Sequence, residues 1–336
     1  MADMLKWNWH EREGLSLDTN HKKYYGVIPP IITPIDEHEN VDEDGFRALL
    51  DHCVIHGLHG IFVAGSNGET MALTQQERNR AIAIAIDQVG ARVPVICGVM
   101  DTSTRRVIDN IKSLEQAGGT CAVITSIFYA RHTSQSETIR HFEEIAKHTS
   151  IDLVIYNIPM FTGLALTGET VVEIAKIPSV KGYKDSSSRF PDFQWLLPLY
   201  KDTPFCMLQG ATNLAMSSML LGADGFIPSI APLFPELFVE SYEVSRSGNI
   251  ALTQKYDMLL RETSKILGMS KSATSANKFA LSTLGFTSPR VIKPQDECTK
   301  EDEEKILRQI DHVNELHAAL KASLNDLGNS ANKYAK

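Results

Sequence analysis

Residues 151–185 read IDLVIYNIPMFTGLALTGETVVEIAKIPSVKGYKD, and this stretch decides the fold. An apolar strand is expected over Asp152–Tyr156, a helix over Gly168–Ala175 and a second apolar strand over Ser179–Lys184. Both strands are near-continuous apolar runs, which is typical of parallel strands that are buried on both faces. The stretch therefore predicts one strand–helix–strand unit of a parallel sheet.

The same alternation continues on both sides of this unit. Six more strands are predicted, at Tyr25–Thr33, Gly60–Ala64, Val93–Gly98, Thr120–Thr125, Pro204–Leu208 and Asp224–Ile227. Seven more helices are predicted, at Asp44–Gly57, Gln75–Gln88, Ser103–Ala117, Ser136–His148, Arg189–Tyr200, Asn213–Leu221 and Pro235–Ser247. Eight such units predict an α/β fold, a (β/α)8 TIM barrel over residues 25–249. An open doubly wound sheet is the alternative, but no GxGxxG turn follows the first strand.

The pattern changes outside the barrel. Residues 250–326 predict a C-terminal extension of three helices, at Ala251–Leu267, Lys271–Leu284 and Thr299–Leu324. Residues 1–24 form an N-terminal arm, and residues 327–336 form a polar tail. We therefore expect one barrel with an appended helical segment.

The composition argues against several classes of function. The 336 residues include 33 Lys and Arg against 41 Asp and Glu, so the net charge is −8 and no basic excess exists for binding nucleic acid. No apolar run is long enough to cross a membrane, and the polar first residues do not resemble a signal peptide. Five cysteines without a CxxC pair argue against disulfides and a zinc site. A cytoplasmic protein without a bound metal is therefore expected.

The active sites of such barrels lie at the carboxyl ends of the strands, and this rule selects candidate residues. Lys184 ends the sixth strand and is either a solvated lysine or a desolvated amine that can attack a carbonyl. Tyr156 ends the fifth strand and either caps the core or passes protons. The loop Gly65–Gly68 follows the second strand and is either a tight turn or a cradle for a carboxylate.

Three motifs at these strand ends together resemble one family. They are GSNGE at Gly65–Glu69, YNIPMFTG at Tyr156–Gly163 and GYKD at Gly182–Asp185. Their types and order resemble the dihydrodipicolinate synthase/N-acetylneuraminate lyase family of pyruvate-dependent class I aldolases. The resemblance covers residues 25 to about 320 and includes the first and eighth strands. It implies a TIM barrel with a C-terminal helical extension, assembled as a homotetramer from two tight dimers.

The resemblance also implies a site and its chemistry. Lys184 would form a Schiff base with a 2-oxo acid, and Tyr156 would relay protons. The substrate would contact Gly65, Ser66, Asn67, Tyr129, Phe161 and Ile227. The protonated imine is the electron sink, so no cofactor or metal is implied. The partners would be pyruvate and an aldehyde.

Three departures from the family pattern bear on the substrate. Phe161 stands where dihydrodipicolinate synthases have an arginine that binds the carboxylate of their aldehyde partner. Asn67 replaces the threonine that most members use in the proton relay. The resulting motif GSNGE resembles that of the 4-hydroxy-2-oxoglutarate aldolase branch. A second tyrosine of the family is donated across the dimer after the fourth strand. Here Phe128 stands at the matching position and Tyr129 beside it.

These features predict a lyase that cleaves a 2-oxo acid, such as a 2-keto-3-deoxy sugar acid or 4-hydroxy-2-oxoglutarate, to pyruvate and an aldehyde. A dihydrodipicolinate synthase and a dehydratase of deoxy-oxo sugar acids are alternatives within the family. A non-catalytic sensor of 2-oxo acids is the alternative outside catalysis. Specificity in barrels resides in the loops, whose shape one sequence does not reveal.

Overall fold

The computed structural model describes residues 22–129 and 134–333, and within them eight parallel strands form one sheet. The strands are β1 (Gly26–Val27), β2 (Ile61–Val63), β3 (Val95–Gly98), β4 (Cys121–Ile124), β5 (Asp152–Asn157), β6 (Val180–Asp185), β7 (Cys206–Gln209) and β8 (Gly225–Phe226). Their order is β1-β8-β7-β6-β5-β4-β3-β2, so the strands run around a ring in chain order. The predicted (β/α)8 barrel is thus confirmed.

The ring closes between β1 and β2 through the segment that follows β1. The N–H of Phe62 donates to the carbonyl of Pro29 at 3.0 Å, and the N–H of Ile31 donates to the carbonyl of Phe62 at 2.9 Å. The bridge at Pro30 stays isolated because proline has no N–H with which to continue a ladder. The predicted strand Tyr25–Thr33 is therefore too long, and only its first part is a regular strand.

Helices cover the outside of the ring. They are α1 (Glu43–Ile55), α2 (Gln75–Val89), α3 (Thr104–Gln116), α4 (Gln135–Ala146), α5 (Pro159–Thr162), α6 (Gly168–Ala175), α7 (Phe190–Tyr200), α8 (Ala215–Leu220) and α9 (Pro235–Arg246). Apart from the short α5, which was not predicted, their ends lie within two residues of the predicted ones. Thr74 caps the start of α2, because its hydroxyl accepts from the N–H of Glu77.

Two apolar clusters stabilise the barrel. One fills the inside of the ring, since its strand residues occupy alternate positions of the strands and none of its members lies on a helix: Tyr24, Ile28, Phe62, Ile96, Cys121, Val123, Val154, Tyr156, Ile158, Cys206, Leu208 and Ile227. The larger cluster lies between the sheet and the helices. Cys97 and Cys121 are fully buried, and burial raises the pKa of both thiols, as expected for unreactive core cysteines.

Three more helices follow the barrel, α10 (Ile250–Lys265), α11 (Ala273–Ser282) and α12 (Lys300–Lys333). The end of α12 differs from the prediction, since this helix continues past Leu324 to Lys333. None of the described helices combines the length and the apolar character that a membrane span requires.

Two residues before β1 attach the chain to the amino-terminal end of the barrel. The Nζ of Lys22 lies 2.9 Å from Oδ2 of Asp224, and the hydroxyl of Tyr24 donates to Oδ2 of Asp152 at 2.7 Å. The rest of the predicted arm, residues 1–21, lies outside the described residues.

Candidate active site

Lys184 and Tyr156 meet inside the barrel. Strands β5 and β6 pair in parallel, with Tyr156 opposite Lys184 and Asn157 opposite Asp185. Because side chains alternate along a strand, the first pair points to one face of the sheet and the second pair to the other. The Nζ of Lys184 lies 3.8 Å from the centroid of the Tyr156 ring. The structure therefore brings together the two residues that the sequence selects as catalytic.

The amine of Lys184 is enclosed by aromatic rings. Lys184 is 3% exposed, and its Nζ lies 4.7 Å from the centroid of the Phe62 ring. Burial lowers the pKa of Lys184 below its ordinary 10.5, while Tyr156 opposes this shift through its charge and a hydrogen bond. A lowered pKa enlarges the neutral fraction of the amine, which is its nucleophilic form.

Phe62 is a site residue that the sequence pattern does not identify. It lies on β2, and its ring stands edge-on to Tyr156 with 6.2 Å between the centroids. A continuous apolar strand gives no sign of which side chain faces the inside of the ring. The same ring limits the residue type at position 65, because a Cβ on Gly65 would lie 2.9 Å from the ring of Phe62. A glycine is therefore needed for the loop to pass this close.

A buried polar network behind the strand ends fixes the backbone that carries the two catalytic candidates. The amide of Asn157 donates to Oδ1 of Asp185 at 2.9 Å and to the hydroxyl oxygen of Tyr183 at 3.0 Å. That hydroxyl donates to Oδ1 of Asp185 at 3.0 Å. Burial raises the pKa of Asp185, and its hydrogen bonds oppose the shift. The network ties β5 to β6 in the register that places Tyr156 beside Lys184.

The loop Gly65–Glu69 leaves β2 along a strained backbone path. Ala64 and Glu69 both have a φ of 54°, in the left-handed region that costs a non-glycine residue about 1 kcal/mol or more. A single 3-10 turn that begins at Ser66 lies between them. Within the described part of the chain, the N–H groups of Ser66 and Asn67 donate to no protein acceptor. Both groups are therefore available to an anion.

The side chain of Asn67 is largely occupied by the protein itself. Its Nδ2 donates to the carbonyl of Pro30 at 2.6 Å, and its Oδ1 accepts from Nδ2 of Asn277 at 3.0 Å. For a substrate, Asn67 thus offers its backbone N–H and the second N–H of its amide. Asn277 lies on α11 and is fully buried. The sequence gives no signal for this contact, because 210 positions separate the two residues.

A buried ion pair holds the last residue of the loop. Lys278, the next residue of α11, pairs with Oε2 of Glu69, and the two side chains are 0% and 1% exposed. The other oxygen of Glu69 accepts from the N–H of Ile292 at 2.8 Å. Burial lowers the pKa of Lys278, and the charge of Glu69 opposes the shift. No local sequence pattern identifies this pair either.

The remaining predicted contact residues lie at different depths. Ile227 is 2% exposed and belongs to the cluster inside the ring with Tyr156. Phe161 lies on α5 and is 59% exposed, and Tyr129 is 95% exposed. Neither of these two aromatic residues is part of the buried cluster around Lys184.

The described residues contain no group of three or more His, Cys, Asp and Glu side chains placed to hold a metal ion. His52 and His59, which lie close together in the sequence, use a ring nitrogen to contact backbone groups of the protein. The Nε2 of His52 lies 2.9 Å from the carbonyl of Pro232, and Nδ1 of His59 accepts from the N–H of Val27 at 3.2 Å. The chemistry that this site offers is that of a buried amine, a phenol and free backbone N–H groups.

Comparison with known proteins gives relatives that match most of this chain. The model of the dihydrodipicolinate synthetase family matches residues 23–313. A 4-hydroxy-tetrahydrodipicolinate synthase of Methanopyrus kandleri is 31% identical over 288 residues, which are 84% of this chain and 94% of the relative. An uncharacterized DapA-like lyase of Halobacterium salinarum is 30% identical over 304 residues, 90% of this chain and 94% of the relative.

A solved structure shows the same fold. YagE, a prophage protein of the dihydrodipicolinic acid synthase family from E. coli, was crystallised in complex with pyruvate. It superposes on this chain with a TM-score of 0.82 at 26% sequence identity, covering 87% of this chain and 99% of its own.

Proposed function

The chain belongs to the dihydrodipicolinate synthetase family, whose members are lyases, and from this premise we propose that it is a class I aldolase. It would form a Schiff base on Lys184 and would cleave a 2-oxo acid to pyruvate and an aldehyde. The observation that carries this proposal is the buried amine of Lys184, 3.8 Å from the centroid of the Tyr156 ring. The complex of YagE with pyruvate supports the same substrate class.

The first step joins the substrate to the enzyme. The lone pair of the neutral Lys184 amine attacks C2 of the 2-oxo acid, and a proton moves from the attacking nitrogen to the carbonyl oxygen to give a carbinolamine. The hydroxyl of the carbinolamine then takes up one proton and leaves as water, which gives a protonated imine. Tyr156 lies against the amine and forms a hydrogen bond with it, and it would move these protons, since a positioned phenol can serve as acid and base.

The second step breaks the carbon–carbon bond. The C4 hydroxyl loses its proton and becomes the aldehyde carbonyl, while the electrons of the C3–C4 bond flow into the imine and give an enamine. The enamine takes up a proton at C3, and water then hydrolyses the imine to release pyruvate and free Lys184. Oxidation state is conserved throughout, so the reaction requires no redox partner.

The loop Gly65–Glu69 would hold the carboxylate of the oxo acid. The N–H groups of Ser66 and Asn67 have no protein acceptor among the described residues, and the hydroxyl of Ser66 lies on the same turn. Paired N–H groups at the start of a helical turn bind anions well. Ile227 would pack against the apolar part of the substrate, because it shares the interior cluster with Tyr156.

At the position of Phe161, dihydrodipicolinate synthases have an arginine that binds the carboxylate of their aldehyde partner, and we expect this chain to lack that contact. Phe161 is apolar and 59% exposed, so it offers no charge to an anion. This observation favours aldolase cleavage of a 2-keto-3-deoxy sugar acid, whose aldehyde product need carry no carboxylate. For 4-hydroxy-2-oxoglutarate, whose aldehyde product does carry a carboxylate, the support is the resemblance of the loop Gly65–Glu69. The synthase reaction is the second candidate, because the relative from Methanopyrus kandleri is named 4-hydroxy-tetrahydrodipicolinate synthase.

Assembly and location are further parts of the proposal. We expect a homotetramer built from two dimers, in which the exposed ring of Tyr129 contacts a neighbouring subunit. A cytoplasmic location is supported by the five cysteines, all of which are free thiols.

Release of pyruvate from a panel of 2-oxo acids, followed by a coupled assay, tests the proposal. The panel should contain 2-keto-3-deoxy sugar acids, 4-hydroxy-2-oxoglutarate and oxo acids without a C4 hydroxyl. We expect turnover of at least one hydroxylated member, and no turnover by Lys184→Met. Lys181→Met is the matched control, because Lys181 lies on the same strand with its side chain on the other face. Turnover by Lys184→Met at the wild-type rate would refute the proposal.

A further inference from the structure

We propose that Asn277 and Lys278 of the C-terminal extension are positioning residues that hold the loop Gly65–Glu69 in its carboxylate-binding shape. The extension would then set the affinity of the site for the 2-oxo acid without touching the substrate. This inference rests on the proposed function, since it assigns the extension a role in substrate binding at that site.

The first anchor is the pair of amides. Asn277 is 0% exposed, and its Nδ2 donates both to Oδ1 of Asn67 and to the carbonyl of Ser229, at 3.0 and 3.1 Å. Asn67 follows β2, while Ser229 follows β8. One buried amide of α11 thus links two loops at the carboxyl end of the barrel.

The amide of Asn67 completes this anchor. Its Nδ2 reaches the carbonyl of Pro30 at 2.6 Å, on the segment that closes the ring. The side chain therefore bridges the barrel and the extension, and its own backbone N–H stays free for an anion. Loss of the Asn277 donor would leave Oδ1 of Asn67 without its partner in a partly buried position.

The second anchor is the ion pair at the other end of the loop. Glu69 has a left-handed backbone and a side chain that is 1% exposed, paired with the fully buried ammonium of Lys278. Its other oxygen accepts from the N–H of Ile292 at 2.8 Å, so two segments of the extension hold this carboxylate. Buried ion pairs add little net stability, because desolvation offsets their attraction. Their geometry, however, is well defined, and here it fixes the conformation of Glu69.

The two anchors lie on consecutive residues of one helix and act on positions 67 and 69 of the same loop. The N–H groups of Ser66 and Asn67 lie between Gly65, which passes against Phe62, and Glu69. A strained backbone keeps such a path only where its surroundings enforce it. The structure thus shows an enforcing contact on each side of the free N–H groups, provided by Phe62 and by α11.

Asn277→Ala is the main test, with Ser275→Ala as its matched control. Ser275 lies on the same helix, is equally buried and donates one hydrogen bond, to the carbonyl of Asp296 at 2.7 Å, away from the loop. The measured quantity is the pyruvate concentration that gives half-maximal adduct on Lys184 when the imine is trapped with borohydride. We expect this concentration to rise about five- to tenfold in Asn277→Ala and to change less than twofold in Ser275→Ala. The maximal amount of adduct should stay the same.

The ion pair is tested by the double variant Glu69→Gln/Lys278→Met. Lys278→Met alone leaves a buried carboxylate without its partner and is expected to fold poorly. The double variant removes both charges and keeps an oxygen for the N–H of Ile292. We expect it to fold and to raise the half-saturating pyruvate concentration about fivefold or more. Full retention of the wild-type value would show that Lys278 has no positioning role.

Hydrogen exchange gives a readout that does not depend on the reaction. The amides of Gly68 and Glu69 donate within the loop and report on its opening. We expect their exchange to speed up about tenfold in Asn277→Ala and to stay unchanged in Ser275→Ala. If wild-type protein forms no adduct with pyruvate, the proposed function fails, and the exchange rates alone decide on the anchors. Equal exchange in both variants would overturn the inference.

Discussion

The Nζ of Lys184 lies 3.8 Å from the centroid of the Tyr156 ring, and the pairing of β5 with β6 determines this contact. A slip of one residue in this register would turn one of the two side chains towards the helices. The hydrogen bonds of Asn157 and Asp185 on the opposite face maintain the register. The reactive pair is thus a property of the sheet rather than of a loop.

Tyr156→Phe keeps the ring beside Lys184 and removes the hydroxyl. We expect kcat for cleavage to fall about a hundredfold or more, because proton transfer loses its acid and base. Adduct formation with pyruvate should slow as well, while the fold is kept. Tyr256→Phe is the matched control, since Tyr256 lies on α10 of the extension. Its buried hydroxyl donates to Glu240 at 3.0 Å and is removed by this substitution. A kcat of Tyr156→Phe within threefold of wild type would exclude a proton relay through this residue.

Lys184→Met is expected to inactivate the enzyme and to stabilise its fold. The pKa of Lys184 is lowered in the folded state, so folding opposes its protonation and stability rises with pH up to the unfolded pKa of 10.5. Met removes this penalty, and we expect the free energy of unfolding to increase by about 1–2 kcal/mol at pH 7. The gain should shrink as the pH approaches 10.5. Urea unfolding at several pH values measures it, and a loss of stability at pH 7 would contradict the account.

Phe161→Arg introduces a cation where the resemblance places the arginine of the synthases. We expect kcat/KM for aldehydes that carry a carboxylate to rise about tenfold relative to neutral aldehydes, because the guanidinium can bind the carboxylate in bidentate fashion. Stability should change little at this half-exposed position. Met160→Arg is the control, since it places the same charge on the same short helix at a residue that is 78% exposed. An equal gain in both variants would point to nonspecific attraction.

His141 on α4 is expected to make the fold sensitive to acid. Burial lowers the pKa of this histidine from 6.5 to about 4, and a hydrogen bond with the backbone of Thr125 opposes the shift. The folded state therefore binds fewer protons than the unfolded one, and stability falls as the pH drops from 6.5 towards 4, by about 3 kcal/mol in all. The free energy of unfolding, measured with urea at several pH values, should depend less steeply on pH in His141→Gln than in wild type. An NMR titration of His141 near pH 6.5 would refute this expectation.

Much of the fold follows from local pattern. Alternating apolar strands and amphipathic helices predict the barrel, and caps such as Thr74 predict where helices begin. The first strand is predicted too long, because Pro29 and Pro30 interrupt its ladder while its composition stays apolar. The end of α12 is also missed, because a polar composition does not exclude a helix.

The site is predictable only in part, and the reason is distance along the chain. Lys184 and Tyr156 follow from the rule for strand ends. The contact of Phe62 with Lys184 does not, because the closure of the ring determines which side chains of β2 point into it. Asn277 and Lys278 meet the loop after β2 from about two hundred positions away, and no local pattern encodes such a contact.

Borohydride trapping tests the central claim most directly. Wild-type protein is incubated with pyruvate and reduced with borohydride, and the modified peptide is located by mass spectrometry, with Lys184→Met and Lys181→Met treated in the same way. We expect one reduced pyruvate on Lys184 in wild type and in Lys181→Met, and none in Lys184→Met. Absence of an adduct from wild type, or its appearance on another lysine, would contradict the account.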